Sequence, residues 1–368
     1  MKSNYRYIVK AFMAMAVIAG TTSCDDFLDR EPMSSISPET YYSTAAQLEA
    51  NLNDEYPNVL PSFGQWTYGI FGEDKGTDNQ IEVNANDRYT QDRWKVPHSE
   101  SDNWKFERIY RINFFLSEAL PKFGEDMSGS QNTISGSVAT IKHYIGEMYF
   151  LRAYEYFKKL QLFGDFPIIN QPLADEMEAL REASKRFPRN EVARFIISDL
   201  DKAYAYMSDV DMATTRINKD AAMLVKSRVA LFEATWLQNF KGTAFVPGGE
   251  GWPGASLHNN YQYPSGNIDN EVKYFLEQAV EASKLVADKY KGSLTENTGV
   301  LQQSADDPSN PYFDMFAQED LSDVKEVLLW RQYARGLSTH NINAAAGRGN
   351  YRIGLTRGFV QNFLMEDG

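Results

Sequence analysis

The sequence predicts an all-α chain whose helices pack in antiparallel pairs between long irregular loops. Three observations carry this. Apolar residues recur at three- and four-residue spacing in several separate stretches between 104 and 286. One run, 139–163, is apolar on nearly all sides, as a helix in the middle of a bundle must be. Only two short stretches, 166–169 and 326–333, read as strands.

The chain opens with Lys2, Arg6 and Lys10, then the apolar run Ala11 to Gly20, then the small residues Thr21, Thr22 and Ser23. That is the layout of a secretory signal. The apolar run is too short to cross a bilayer, which takes about 20 such residues. Cys24 follows, the only cysteine of 368 residues. A lone cysteine forms no intrachain disulfide, and Asp25 and Asp26 beside it exclude a core position. The small-small-Cys ending suggests a bacterial lipobox, in which the thiol takes a diacylglyceryl group and the chain is cut before Cys24. Thr21 departs from the leucine usual three residues before such a cysteine. Residues 25–40, with Pro32 and Pro38, read as an extended polar tether. The expected division is a signal peptide at 1–23, a lipidated tether at 24–40 and a folded domain at 41–368.

A first helix is expected from Ser43 to about Asn53. Residues 56–103 are broken by Pro57, Pro61, Gly64, Gly69, Gly72, Gly76 and Pro97 and read as irregular. Phe106, Ile109, Asn113, Leu116 and Leu120 mark the next helix. The apolar helix 139–163 stops at Gly164, with Pro167 beyond. Asn190, Asn218 and Asn270 are then the expected N-caps of three more helices. The small residues Ala221, Ala222, Ala230 and Ala234 permit close approach along the second of these. No strict 34-residue repeat is present.

Composition narrows the function. Residues 1–23 hold three of the 37 basic residues and none of the 50 acidic ones, so the net charge falls from −13 to −16 without them. Such a surface repels nucleic acid and anionic headgroups, so attachment to a membrane is expected through lipid and not through charge. The four histidines form no HExxH motif, and Gly248, Gly249, Gly251 and Gly254 lack the Lys-Ser/Thr of a phosphate loop. His143 and Glu147, four apart, are the one metal-like spacing, with no further ligand near in sequence. No metal and no cofactor are expected.

Five stretches in order resemble the SusD/RagB family of outer-membrane nutrient-binding lipoproteins. They are CDDFLDREP (24–32), WKFERIYRINFFL (104–116), IGEMYFLRAYEYFKKLQLFGDFPII (145–169), RNEVARFIISDLDKA (189–203) and NKDAAMLVKSRVALF (218–232). Met148 and Phe106 replace the usual alanine and tyrosine. LTRGFVQNFLMEDG (355–368) is similar to a segment that lies inside the family's chains, so the sequence is expected to be C-terminally incomplete. The resemblance implies a tetratricopeptide-like scaffold of helical hairpins and a lipid anchor at Cys24 on the outer face of the outer membrane. It also implies a TonB-dependent transporter of the SusC type as partner, an oligosaccharide or polysaccharide as cargo, and no catalysis.

An aromatic plane covers the C–H face of a sugar, and amides and carboxylates take its hydroxyls. Two loops hold both kinds of residue. In 63–94 the candidates are Trp66, Asp78, Asn79, Tyr89 and Trp94; in 247–263 they are Trp252, Tyr261 and Tyr263. Trp252 and Trp94 are expected to contact ligand with little part in stability. The bland alternative is that these rings pin long loops to the scaffold. Trp104 and Trp236 fall in expected helices and read as core. Two other functions stand beside glycan binding. A surface-anchored glycoside hydrolase needs two carboxyl groups about 5–9.5 Å apart, and no motif singles out such a pair. A helical-repeat adaptor would bind protein partners and no sugar.

Overall fold

A computed structural model describes residues 41–63, 74–82, 103–208, 212–300, 304, 306–334, 339 and 353–363. Helix α1 (Ala45–Val59) starts at a capping box: the Thr44 hydroxyl accepts the Gln47 N–H, and the Gln47 carboxamide oxygen accepts the Thr44 N–H. The helix outruns its expected end because Leu48, Leu52, Glu55 and Val59 form one buried face, and Pro57 falls in the last turn, where few bonds remain to break. Residues 80–82 form strand β1 (Gln80–Glu82). Helix α2 (Glu107–Phe123) buries Ile109, Ile112, Phe115, Leu116, Ala119 and Phe123.

Helix α3 (Val138–Phe163) is the axis of the fold. Ser137 caps it, and Gly164 ends it at φ 68°, a backbone setting that favours glycine. From Ile141 to Leu160 nearly every residue is buried, because α1 and α2 pack on it and so does α5 (Arg189–Tyr206). A short α4 (Met177–Ala183) buries nothing. Helix α6 (Lys219–Asn239) packs on α5, and α7 (Ile268–Tyr290) packs on α6. Gly146 marks the closest approach of α3 to the end of α5: a Cβ there would lie 2.8 Å from Met207 Cγ and 2.9 Å from its backbone nitrogen. Beyond α7 come the single-turn helices α8 (Pro311–Met315) and α9 (Arg357–Val360) and strand β2 (Ile353–Leu355), which pairs antiparallel with β1.

Asn218 caps α6 as expected. The other two expected caps differ. Asn267 caps α7 a turn earlier, accepting the Asn270 N–H at 2.9 Å. Helix α5 begins at Arg189, and Asn190 is a buried side chain that reaches Glu271 and Tyr261. Neither expected strand forms. In 166–169 only Phe166 pairs with backbone, at Phe187. Ile169 is held by the Tyr156 hydroxyl and the Asn113 amide instead. In 326–333 the backbone amide of Trp330 bonds to Thr214, and no strand among the described residues pairs with it.

Polar side chains tie these layers together. Arg152 of α3 holds Asp199 of α5 through two bonds of 2.7 and 2.8 Å, and donates a third to Asn113 of α2 at 2.9 Å. Glu147 of α3 accepts two bonds from Arg216 and one from the Tyr56 hydroxyl of α1 at 2.6 Å. That hydroxyl in turn accepts the Ile217 N–H at 2.9 Å, and Arg216 also reaches Asn53 of α1. The His143 ring is fully used: Nδ1 accepts the Ser208 N–H, so Nε2 carries the proton and faces Ile217 O and Glu147 Oε1. Among the described residues no cluster of three metal-binding side chains occurs.

Candidate functional site: a cleft at the end of the central helix

After α6 the chain makes a long loop that returns across the end of α3 before α7 begins. Close backbone contact folds it back on itself: a Cβ on Gly249 would strike Thr243 O at 1.9 Å. The loop docks through Trp252. Its Nε1–H donates to Asp165 Oδ2 at 2.7 Å, just past the Gly164 turn, and Asp165 Oδ1 accepts the Arg189 N–H at 2.9 Å. Burial pushes the Asp165 carboxyl above the usual carboxylate range, and these two donors pull it part of the way back. His258 stacks on Trp252 and bonds Arg186 O through Nε2 at 2.8 Å.

Tyr261 stands 5.6 Å from Trp252 and 5.2 Å from Tyr263, ring centre to ring centre. Its hydroxyl is tied to Asn190, and that of Tyr263 donates to Pro247 O at 2.7 Å. The acceptor for this corner is Glu271 of α7, which takes bonds from Asn190, Arg194 and Ser265. Burial alone would raise the Glu271 carboxyl; these donors outweigh it and hold the group below the usual range.

The structure thus brings Trp252, Tyr261 and Tyr263 together. It also corrects the expectation that Trp252 stands free of packing: the residue is only 5% exposed, and its ring lies against Gly254. Asp78 and Asn79 sit in the turn before β1, where their carbonyls accept the Thr356 hydroxyl and the Thr356 N–H. Trp66, Tyr89, Trp94 and Cys24 lie outside the described residues.

Beside Trp252 opens a cleft of about 480 Å³, between the last turn of α3, the start of α5, the end of α6 and the loop. Phe245, 61% exposed, and Trp236 form its aromatic wall, and Leu257 and Pro253 line its loop side. Trp236 is held from behind by the buried Arg189 guanidinium, 4.0 Å from its ring centre, while Arg189 pairs with Glu233 at 2.9 Å. Polar groups at the rim are Gln161 and Arg186. Sequence reading placed Trp236 in the core, yet it is half-buried and faces this cleft. The signal that marks it is the aromatic row Phe232, Trp236, Phe240 at four-residue spacing on α6. A second, larger cavity of about 890 Å³ lies between α1, α3, α6 and residues 326–332. Tyr56, Phe150, Tyr154, Leu224 and Trp330 make its lining mainly apolar.

With this geometry in hand, likeness to known proteins can be placed on it. The SusD-like family model, described as starch-binding and associating with the outer membrane, matches residues 26–231. The chain belongs to this family. Two SusD-like proteins of Formosa agariphila, P25 and P2, are each 25% identical to it, over 58% and 66% of this chain. The matches cover 41% and 46% of those two relatives, less than half of their length. A SusD-like carbohydrate-binding protein of Bacteroides fragilis superposes with a TM-score of 0.54 at 13% identity, covering 89% of this chain and 55% of that one. At that identity the likeness speaks for the all-α SusD-like fold. The family match spans α1 to α3, α5 and the first half of α6; the loop carrying Trp252 lies beyond it.

Proposed function

We propose that this SusD-like chain is a cell-surface lipoprotein that binds an oligosaccharide and delivers it to a TonB-dependent transporter of the SusC type. In this reading residues 1–23 are a signal peptide, Cys24 carries the lipid and 24–40 form the tether. The observation that carries the binding function is the cleft beside Trp252, where an exposed aromatic wall meets hydrogen-bonding groups at the rim. Trp252, Tyr261 and Tyr263 shape its loop wall from behind, and Trp66, Asp78, Asn79, Tyr89 and Trp94 are the candidates for further contacts. Binding without catalysis fits the same cleft. Asp165 is the one carboxylate lining it among the described residues, and both its oxygens accept hydrogen bonds. A second carboxyl group, which glycoside hydrolysis uses, is not supplied there.

The test is calorimetry of the full chain against a panel of polysaccharides, with product analysis after long incubation. At least one polysaccharide should bind and none should be cleaved. Phe245→Ala should weaken binding several-fold, consistent with about 0.5–1.5 kcal/mol for one stacked ring. Absence of binding across the panel favours the adaptor, and appearance of shorter products favours the hydrolase.

A further inference from the structure

Arg186 stands at the rim of the cleft described above. Its guanidinium lies over the Trp104 ring, 4.6 Å from the ring centre. No carboxylate among the described residues pairs with it. Asp165, the one carboxylate lining the cleft among the described residues, bonds Trp252 and Arg189 and meets the Arg186 charge only through space, and Arg189 is itself paired with Glu233. Lys185, one residue before, is paired with Glu182. Arg186 is exposed, and it lines the rim of the same cleft as Phe245 and Trp236.

Stacking on an aromatic face fixes the plane of a guanidinium and leaves its edge N–H donors pointing outward as a fork. That fork matches the two oxygens of a carboxylate or sulfate group, and an ionised acceptor makes the stronger bond. A guanidinium over the Trp104 ring at the rim of a sugar-sized aromatic cleft is placed to read an anion on a ligand lying on Phe245.

We infer that the cleft beside Trp252 takes an acidic oligosaccharide, one bearing carboxylate or sulfate groups, and that Arg186 reads the anion. This rests on the glycan reading above and names its substrate class. The full chain and Arg186→Gln are titrated by calorimetry with two matched pairs: a short oligogalacturonate and its methyl ester, and a sulfated oligosaccharide and its desulfated form. The acidic member of one pair should bind about threefold to tenfold tighter than its neutral partner, the range of one charge-assisted bond near the surface. Which pair shows the margin separates carboxylate from sulfate. Arg186→Gln should erase the margin between acidic and neutral members, and Arg186→Lys should keep only part of it. Raising salt from about 0.05 to about 0.5 M should shrink it as well. Equal binding of acidic and neutral members, or a margin that survives in Arg186→Gln, overturns the inference and leaves the glycan reading standing. The same holds if neutral polysaccharides bind and no acidic one does. If nothing in either set binds, the inference falls, and the glycan reading stands or falls with the polysaccharide panel.

Discussion

Replacing Trp252 by alanine should unfold the protein more readily, and the structure gives the size of the effect. The indole is 5% exposed, lies against Gly254 and stacks on His258, so its removal leaves a void that the loop closes only in part. Buried tryptophan-to-alanine changes cost about 3–5 kcal/mol. Part of that is the bond to Asp165 Oδ2. Trp252→Phe keeps most of the ring and drops the donor, so it should lose about 1–3 kcal/mol, the cost of stranding a buried acceptor. Urea unfolding followed by far-UV circular dichroism measures both.

The pH dependence adds a check with a definite sign. Burial holds the Asp165 carboxyl above its ordinary range in the folded state, so the folded chain binds that proton more tightly than the unfolded chain does. Asp165 therefore lowers stability at neutral pH, and this cost fades as pH falls through the raised folded value towards the ordinary carboxylate range. Without the indole donor the carboxyl is displaced further upward. The deficit of Trp252→Ala relative to the parent should then be largest at neutral pH and narrow on acidification. A deficit that widens on acidification contradicts this account of Asp165. A total loss below about 1 kcal/mol at neutral pH would mean that the loop opens without the bundle, and that Trp252 does not couple the two.

Leu151→Ala, at a fully buried site of α3, should cost about 2–5 kcal/mol in the same urea assay; a cost below about 1 kcal/mol would mean α3 is less enclosed than described. Gly146→Ala should cost about 1–3 kcal/mol despite alanine's better helix propensity, because its methyl group meets Met207; a stabilised variant would show that α3 and the end of α5 can part freely. Cys24→Ala should yield a protein that stays out of the detergent phase in a partition assay; continued partitioning would argue against lipid attachment at that residue.

The helices were largely legible because each carries its own period. Helix α3 announces itself by being apolar all round, and Gly164 closes it at a positive φ that favours glycine. Cap positions were less secure, since asparagine serves two purposes. Asn267 and Asn218 bond their own helix, whereas Asn190 spends its side chain on α7 and the loop before it, a choice no local pattern records. The two missing strands failed for a related reason. Residues 166–169 have strand-like composition, but the Tyr156 hydroxyl and Asn113 amide satisfy Ile169 from the side, so no partner strand is needed. For the cleft, the loop aromatics were visible as a group. Their division of labour was not, because Trp252 becomes a pin only through Asp165, 87 residues away. Arg186 gave no signal at all, since its role depends on Trp104, a residue that sequence reading assigned to the core.

The bonds that Tyr56 and Asn53 make to residues 216 and 217 bear on the order in which the molecule assembles. Helix α6 packs on both α5 and α7, its neighbours in the chain, the second across the long 240–267 loop. Helix α1 meets the next helix, α2, through Arg111, which bonds Asp54 and Glu55. Its buried face packs on α3, and Ile217, which bonds Tyr56, is 161 residues further on. Contacts of that separation carry the larger loop-closure cost and form late. The face of α1 that meets α3 thus waits for a later part of the chain, with Leu48, Leu52 and Val59 uncovered in the meantime. Pulse-labelled hydrogen exchange during refolding should show α1 amides gaining protection after those of α5 and α6.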